Sequence, residues 1–119
     1  MKYIILFLLL IIIWSVFAEP NILTVKHLII QDKSLKGLKL VFASDFHIKP
    51  LETLRLKRII KKINEQNPDI ILLGGDYVSG HKKGQSLSID KIALELTNLN
   101  SKYGTFAVVG NHDGWQGKE

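Results

Sequence analysis

The 119-residue sequence contains no cysteine. Disulfide bonds and thiolate metal sites are therefore excluded. Aromatic side chains are absent from the densest basic cluster, whose members are Lys57, Arg58, Lys61 and Lys62. Surfaces that bind single-stranded nucleic acid combine cations with aromatic stacking platforms, so we expect no nucleic-acid partner. We interpret the cluster as the solvated face of an amphipathic helix, with attraction to anionic lipid headgroups as the alternative.

Charge is also missing from residues 3–18, which follow Lys2 and are almost entirely apolar. A membrane-spanning helix needs about 20 apolar residues, and at least about 17, so this run is slightly short. Two interpretations of residues 1–18 remain open: a transmembrane anchor with aromatic residues near its ends, and a signal peptide cleaved after Ala18. The first predicts a membrane-anchored protein with its domain on the extracytoplasmic side. The second predicts a secreted or periplasmic protein.

The rest of the sequence predicts an α/β fold. We interpret residues 19–36 as a linker and a first strand, the strand lying over 22–30. Residues 37–119 contain three apolar runs, at 38–43, 69–73 and 105–109. Between them, apolar residues at helical spacing predict one helix over 51–64 and another from Ser88 onward. This alternation predicts βαβ units with a mostly parallel sheet, preceded by a hydrophobic amino-terminal helix.

Metal-ligand and glycine residues follow each of the three apolar runs. They form the motifs Asp45-Phe46-His47, Gly74-Gly75-Asp76 and Gly110-Asn111-His112-Asp113. Each motif alone is a weak signal, since Asp-x-His is common in surface loops and glycines often only turn the chain. Their occurrence in order at three strand ends is stronger, because ligands in open α/β sheets bind at the carboxyl ends of the strands. The sequence therefore predicts a polar, metal-binding site at that edge.

This series of motifs resembles the first three signatures of calcineurin-like metallophosphoesterases. The context of residues 42–47 and the hydrophobic amino terminus look most like a membrane-associated bacterial subgroup. The resemblance implies a partial calcineurin-like phosphoesterase sandwich that hydrolyses phosphate mono-, di- or pyrophosphate esters. Lipid-linked and nucleotide-sugar pyrophosphates are among the substrates it implies. It also implies two divalent metal ions, for which manganese, iron and zinc are all compatible.

The resemblance further implies roles for individual residues. The metal ligands would be Asp45, His47, Asp76 and Asn111. Asp76 would bridge the two ions, because a carboxylate can bind two cations at once. His112 would contact the phosphate and assist the leaving oxygen. Asp113 completes the motif and is placed with His112 in the catalytic set.

Two features depart from the family pattern. Many relatives have a second acid three residues after the bridging aspartate, where this chain has Ser79, so His112 needs another orienting partner. Relatives also supply further histidine ligands downstream, whereas His27 and His81 are interpreted here as ordinary surface residues. We therefore expect the amino-terminal part of a metal-dependent phosphoesterase, as a fragment lacking those ligands. The alternatives are a catalytically inactive, membrane-associated metal-binding module and a truncated remnant.

Overall fold

The amino-terminal helix contributes no buried residue to the molecule. The computed structural model describes residues 1–19, 22–35, 37–82 and 84–116. Helix α1 spans Lys2–Ile13, and a π-helical turn follows at Trp14–Ala18. The side chains of α1 are exposed on every side of the helix. Within the described ranges, no helix has both the length and the hydropathy needed to cross a membrane.

The later elements form an α/β unit built on one parallel sheet. In chain order they are β1 (Leu40–Ala43), α2 (Thr53–Asn64), β2 (Ile70–Leu73), α3 (Ile89–Leu96), β3 (Thr105–Ala107) and α4 (Asn111–Gln116). The strands lie in the order β1-β2-β3, with Leu40 opposite Ile70 and Ile71 opposite Thr105. The prediction of an α/β fold with a parallel sheet is confirmed. The short helix α4 has no counterpart among the elements expected from the sequence.

One expectation about strands differs from the structure. Residues 22–30, interpreted above as a first strand, are not part of any strand. Alternating β-branched residues express a local preference, but a strand also needs a partner for its backbone hydrogen bonds. The described residues contain one parallel sheet of three strands, which fits the partial domain expected from the sequence. The linker residues Pro20 and Asn21 lie outside the described residues.

The hydrophobic core lies between one face of the sheet and the helices α2 and α3. Its residues from these elements are Leu56, Ile60, Ile63, Ile71, Leu73 and Ile92. The three α2 residues recur at the spacing of one helical face, which explains why α2 packs on the sheet. The opposite face of the sheet is open, since Phe42 is 66% exposed and Phe106 is 58% exposed.

Replacing Leu56 with alanine tests this core. Leu56 is fully buried, so Leu56→Ala should lower the free energy of unfolding by about 2–5 kcal/mol. Leu54 lies on the same helix but is 74% exposed, and Leu54→Ala should change stability by no more than about 0.5 kcal/mol. Urea denaturation followed by circular dichroism measures both values. Equal losses in the two variants would contradict this packing of α2.

Candidate metal centre

The chain segments that follow β1 and β2 run side by side beyond the sheet. We call residues 44–48 the first tip and residues 74–78 the second tip. Three backbone hydrogen bonds join them: Asp45 N–H to Gly75 O (3.1 Å), His47 N–H to Asp76 O (2.9 Å) and Ile48 N–H to Tyr77 O (3.0 Å). The two tips therefore continue the parallel pairing of β1 with β2, and their polar side chains are held at fixed separations.

Apolar side chains of the same two tips pack into the hydrophobic core. Phe46 and Ile48 from the first tip and Val78 from the second are buried. Ile48 and Val78 also form an isolated parallel bridge. In the first tip, polar residues thus alternate with buried ones, whereas in the second tip Val78 is the residue whose side chain is buried. Burial of these apolar side chains restricts the positions of their polar neighbours.

Three of the predicted metal ligands have left-handed backbone conformations. The φ angles are +58° at Asp45, +43° at His47 and +56° at Asp76. Such angles are uncommon for residues other than glycine, although aspartate tolerates them better than most. Conformations of this kind cost about 1–3 kcal/mol each and cluster at functional sites, where surrounding contacts maintain them. The paired tips supply those contacts here.

Asp113 joins the second tip to the third tip, which comprises residues 110–113. Its Oδ2 accepts hydrogen bonds from the backbone N–H groups of Asp76 (2.8 Å) and Gly110 (2.8 Å). Its Oδ1 accepts from the backbone N–H groups of Tyr77 (2.8 Å) and Val78 (3.1 Å). Bonds to an ionised acceptor are stronger than those between neutral groups. Through these contacts Asp113 stabilises the backbone of both tips. The inclusion of Asp113 among the catalytic residues stays a prediction.

A second contact between these tips involves the predicted bridging ligand. The backbone N–H of His112 donates a hydrogen bond to Oδ1 of Asp76 (2.9 Å). This bond orients the Asp76 carboxylate and brings the His112 side chain to the same edge of the sheet. Asn111, the predicted ligand beside it, is the first residue of α4 and is exposed.

Burial raises the pKa of the Tyr77 phenol, and the nearby Asp113 carboxylate raises it further. The Tyr77 hydroxyl donates a hydrogen bond to the backbone oxygen of Val108 (3.1 Å). A neutral phenol keeps this hydrogen for donation. Tyr77 therefore links the second tip to the chain that leaves β3.

Histidine and acidic side chains from all three tips come together. Donor atoms of His47, Asp76 and His112 lie within 4.8 Å of one another. The Nε2 atom of His47 is also 3.7 Å from Oδ1 of Asp45. Two atoms that bind one zinc ion tetrahedrally at 2.0–2.2 Å lie about 3.3–3.6 Å apart. The pair from the first tip is close to this separation, and the three-residue group would have to contract by about 1 Å to bind one ion. The nitrogen and oxygen donors fit manganese, iron or zinc.

Both histidines of this group face backbone carbonyl oxygens through Nδ1. That atom lies 3.3 Å from Val78 O in His47 and 3.2 Å from Gly80 O in His112. A carbonyl oxygen only accepts hydrogen bonds, so each contact requires the imidazole hydrogen on Nδ1. In a neutral ring, Nε2 is then the nitrogen with a lone pair for a metal ion or another donor. Such backbone contacts commonly set the tautomer of metal-binding histidines.

Two residues that were not expected from the sequence, His81 and Trp115, border this site. The ring of His81 lies 5.2 Å from that of His112 and 4.4 Å from that of Trp115, measured between centroids. Trp115 itself lies 4.7 Å from His112. His81 comes from a loop and Trp115 from α4, and no local pattern in the sequence relates them. Only the folded chain shows that both border the histidine group.

Carboxylate and imidazole groups gathered at the carboxyl edge of a parallel sheet are typical of a metal-binding α/β protein. The chain belongs to the calcineurin-like phosphoesterase family, whose model matches residues 38–119. Members of this family are hydrolases that use divalent metal ions. The family predicted from the three motifs is confirmed.

Several curated proteins are similar to this chain. An uncharacterized metallophosphoesterase of Campylobacter jejuni is 37% identical over 83 residues, covering 69% of this chain and 21% of the relative. The UDP-2,3-diacylglucosamine pyrophosphatase LpxG of Chlamydia muridarum is 33% identical over 106 residues, covering 85% and 31%. A transmembrane protein with a metallophosphoesterase domain from Danio rerio is 34% identical over 82 residues, covering 68% and 18%.

The match covers only part of the length of each of these relatives. The chain spans about a fifth to a third of the length of the curated relatives it matches. No solved structure matches it.

The close approach of the tips predicts a strong effect of Gly110→Ala. A Cβ atom at Gly110 would collide with the backbone nitrogen and the carboxylate of Asp76. The variant should therefore separate the second and third tips and lose metal affinity, measured by calorimetric titration with zinc. Gly114 lies in α4, where a Cβ atom would meet nothing within 4 Å, so Gly114→Ala is the matched control and should bind zinc like the wild type. Equal affinities in both variants would contradict this packing.

Proposed function

We propose that this chain forms the amino-terminal part of a two-metal phosphoesterase. The observation that carries the proposal is the convergence of His47, Asp76 and His112, whose donor atoms lie within 4.8 Å of one another. These residues come from three separate strand ends. Membership of the calcineurin-like family supports the same interpretation.

The role proposed for each residue follows from the position of its side chain. Asp45 and His47 would hold one cation, since their donor atoms are 3.7 Å apart. Asp76 would be shared by both cations, and Asn111 would contribute to the second. Such cations would supply an activated water and neutralise charge on the phosphate and the departing oxygen.

His112 is the residue proposed to act on the substrate itself. Its backbone N–H is bonded to Asp76 and its Nδ1 is bonded to a carbonyl oxygen, so two separate contacts define where the ring lies. With Nδ1 engaged, Nε2 is the atom through which the ring meets the phosphate and moves a proton to or from the leaving oxygen. Asp113 serves this arrangement by holding the backbone of the second tip.

We propose a phosphate ester or pyrophosphate ester as the substrate, with a lipid-linked or nucleotide-sugar pyrophosphate as the more specific choice. The similarity to a protein named as a UDP-2,3-diacylglucosamine pyrophosphatase supports the specific choice. The exposed apolar helix α1 supports a substrate met at a membrane surface.

Association with a membrane, through α1, is the second part of the proposal. Each residue of α1 is exposed, and eleven of its twelve residues are uncharged and apolar or aromatic in KYIILFLLLIII. Transfer of such surface from water to lipid is favourable. The name of the Danio rerio relative, a transmembrane protein with a metallophosphoesterase domain, supports this part. The domain is proposed to lie on the extracytoplasmic side.

A second candidate function is a metal-binding module without turnover. The exposed position of Asn111 favours it, because an exposed amide is a weak ligand for the second cation. Such a module keeps the site formed by the first and second tips and acts by binding alone.

Hydrolysis of bis(p-nitrophenyl) phosphate by the full chain tests the enzymatic proposal. Added manganese should accelerate release of nitrophenolate, and a chelator should reverse the effect. Asp76→Asn should reduce the rate to that of the metal-free chain, because the amide removes the charge shared by both cations. Asp90 is an exposed acid in the first turn of α3, so Asp90→Asn is the matched control and should retain activity. Metal binding without turnover in the wild type would establish the binding module instead.

Sedimentation with lipid vesicles tests the role of α1. The double variant Ile5→Asp, Leu9→Asp should bind vesicles less well than the wild type, since a charge at the centre of an apolar helix costs about 2.5–3.5 kcal/mol. Leu28→Asp, Ile29→Asp changes two apolar residues outside α1 that are even more exposed, and this variant should bind like the wild type. Equal binding by all three proteins would contradict the proposal.

A further inference from the structure

The loop that follows the second tip provides the orienting partner that His112 lacks in the sequence. The position three residues after Asp76 holds Ser79, so no acid is available there. The structure instead brings the carbonyl oxygen of Gly80 to 3.2 Å from Nδ1 of His112. We propose that Gln85 is a positioning residue, which holds this carbonyl in place and through it fixes the tautomer and direction of the His112 imidazole.

Gln85 acts by folding the loop around its own side chain. Its Oε1 accepts hydrogen bonds from the backbone N–H groups of His81 (2.9 Å) and Lys82 (3.1 Å). These are the two residues directly after Gly80. The peptide that carries the Gly80 carbonyl also carries the His81 N–H, so one rigid group joins Gln85 on one side to His112 on the other.

Gly80 permits this tight fold. Its φ angle is +75°, a value that favours glycine. A Cβ atom at this position would also collide with the Gln85 side chain, whose own Cβ would be 2.6 Å away. The glycine and the glutamine are therefore matched to each other, and a change at either one shifts the carbonyl.

The far end of the loop is fixed to the first tip. The hydroxyl of Ser86 donates to the carbonyl oxygen of Ile48 (2.8 Å), and the backbone N–H of Leu87 donates to the same atom (3.1 Å). Ser86 and Leu87 are buried. Gln85 thus directly precedes two residues that are hydrogen-bonded to the first tip. From this position its side chain reaches the part of the loop that contacts His112.

The positioning role of Gln85 rests on the proposed phosphoesterase function only where it concerns the action of His112 on a substrate. The positioning itself is a property of the metal-free chain. A carbonyl acceptor requires Nδ1–H on His112, whereas a free neutral histidine in water favours hydrogen on Nε2. The tautomer of His112 therefore reports directly on whether the loop holds its carbonyl in place.

Nitrogen NMR of the ¹⁵N-labelled full chain tests the proposal, without metal and at a pH where the imidazoles are neutral. Wild-type His112 should show the Nδ1–H tautomer, and Gln85→Ala should shift its ring nitrogens toward the Nε2–H form. Gln85→Glu keeps an Oε1 acceptor and should restore the wild-type shifts. Gly80→Ala should give the same change as Gln85→Ala by a different route.

Two controls separate positioning from a general loss of structure. His47 contacts Val78 rather than the loop, so its tautomer should not change in the Gln85 variants. Gln66 also bonds a backbone group through its side-chain amide, donating to Lys62 O (3.1 Å), and Gln66→Ala should leave His112 unchanged. An unchanged His112 tautomer in Gln85→Ala, or a simultaneous shift of His47, would overturn the proposal.

Zinc titration of the same proteins supplies a second readout. Gln85→Ala should bind zinc like the wild type, because the loop orients His112, which is proposed to act on the substrate, and contacts none of the predicted metal ligands through Gln85. A large loss of zinc affinity in Gln85→Ala would mean that the variant disturbs the metal ligands as well and would overturn a positioning role confined to His112. A wild-type chain that binds no zinc would overturn the proposed metal centre, while the tautomer measurement would still decide the positioning by Gln85.

Discussion

The candidate site depends on one half-buried group, the carboxylate of Asp113 bonded to four backbone amides. Three of these amides belong to the second tip and one to the start of the third, so a single charged group spans two strand ends. Two further bonds support it, from His112 N–H to Asp76 and from the Tyr77 hydroxyl to the chain that leaves β3. The arrangement explains how a short strand such as β3, with every residue exposed, still delivers His112 to a defined place.

A related constraint holds the first two tips. Predicted ligands with unfavourable backbone angles lie within two residues of buried side chains, so the core that stabilises the fold also helps to maintain their strained conformation. Asp45 and His47 flank Phe46, and Asp76 lies two residues before Val78. A substitution at Phe46 or Val78 would therefore displace the metal-donor atoms of the neighbouring side chains as well as lower the free energy of unfolding.

The orientation of the histidines is supplied by neutral backbone groups. Val78 serves His47 and Gly80 serves His112, and both carbonyls belong to one continuous stretch that begins at the end of the second tip. In the loop part of this stretch, the Gln85 side chain accepts hydrogen bonds from the two residues after Gly80, which is the basis of the positioning role proposed for it.

The sequence alone determined the helices α2 and α3, the parallel βαβ order and the family, because hydrophobic periodicity and ligand motifs are local properties of the chain. Of the site, it determined which residue types follow each strand. Only the tertiary structure decided that His81 borders His112, that the Gln85 side chain folds the loop, and that residues 22–30 form no strand. The first feature joins residues distant in sequence, the second depends on how one loop closes, and the third reflects the absence of a pairing partner, so none of them follows from a local pattern of residue types.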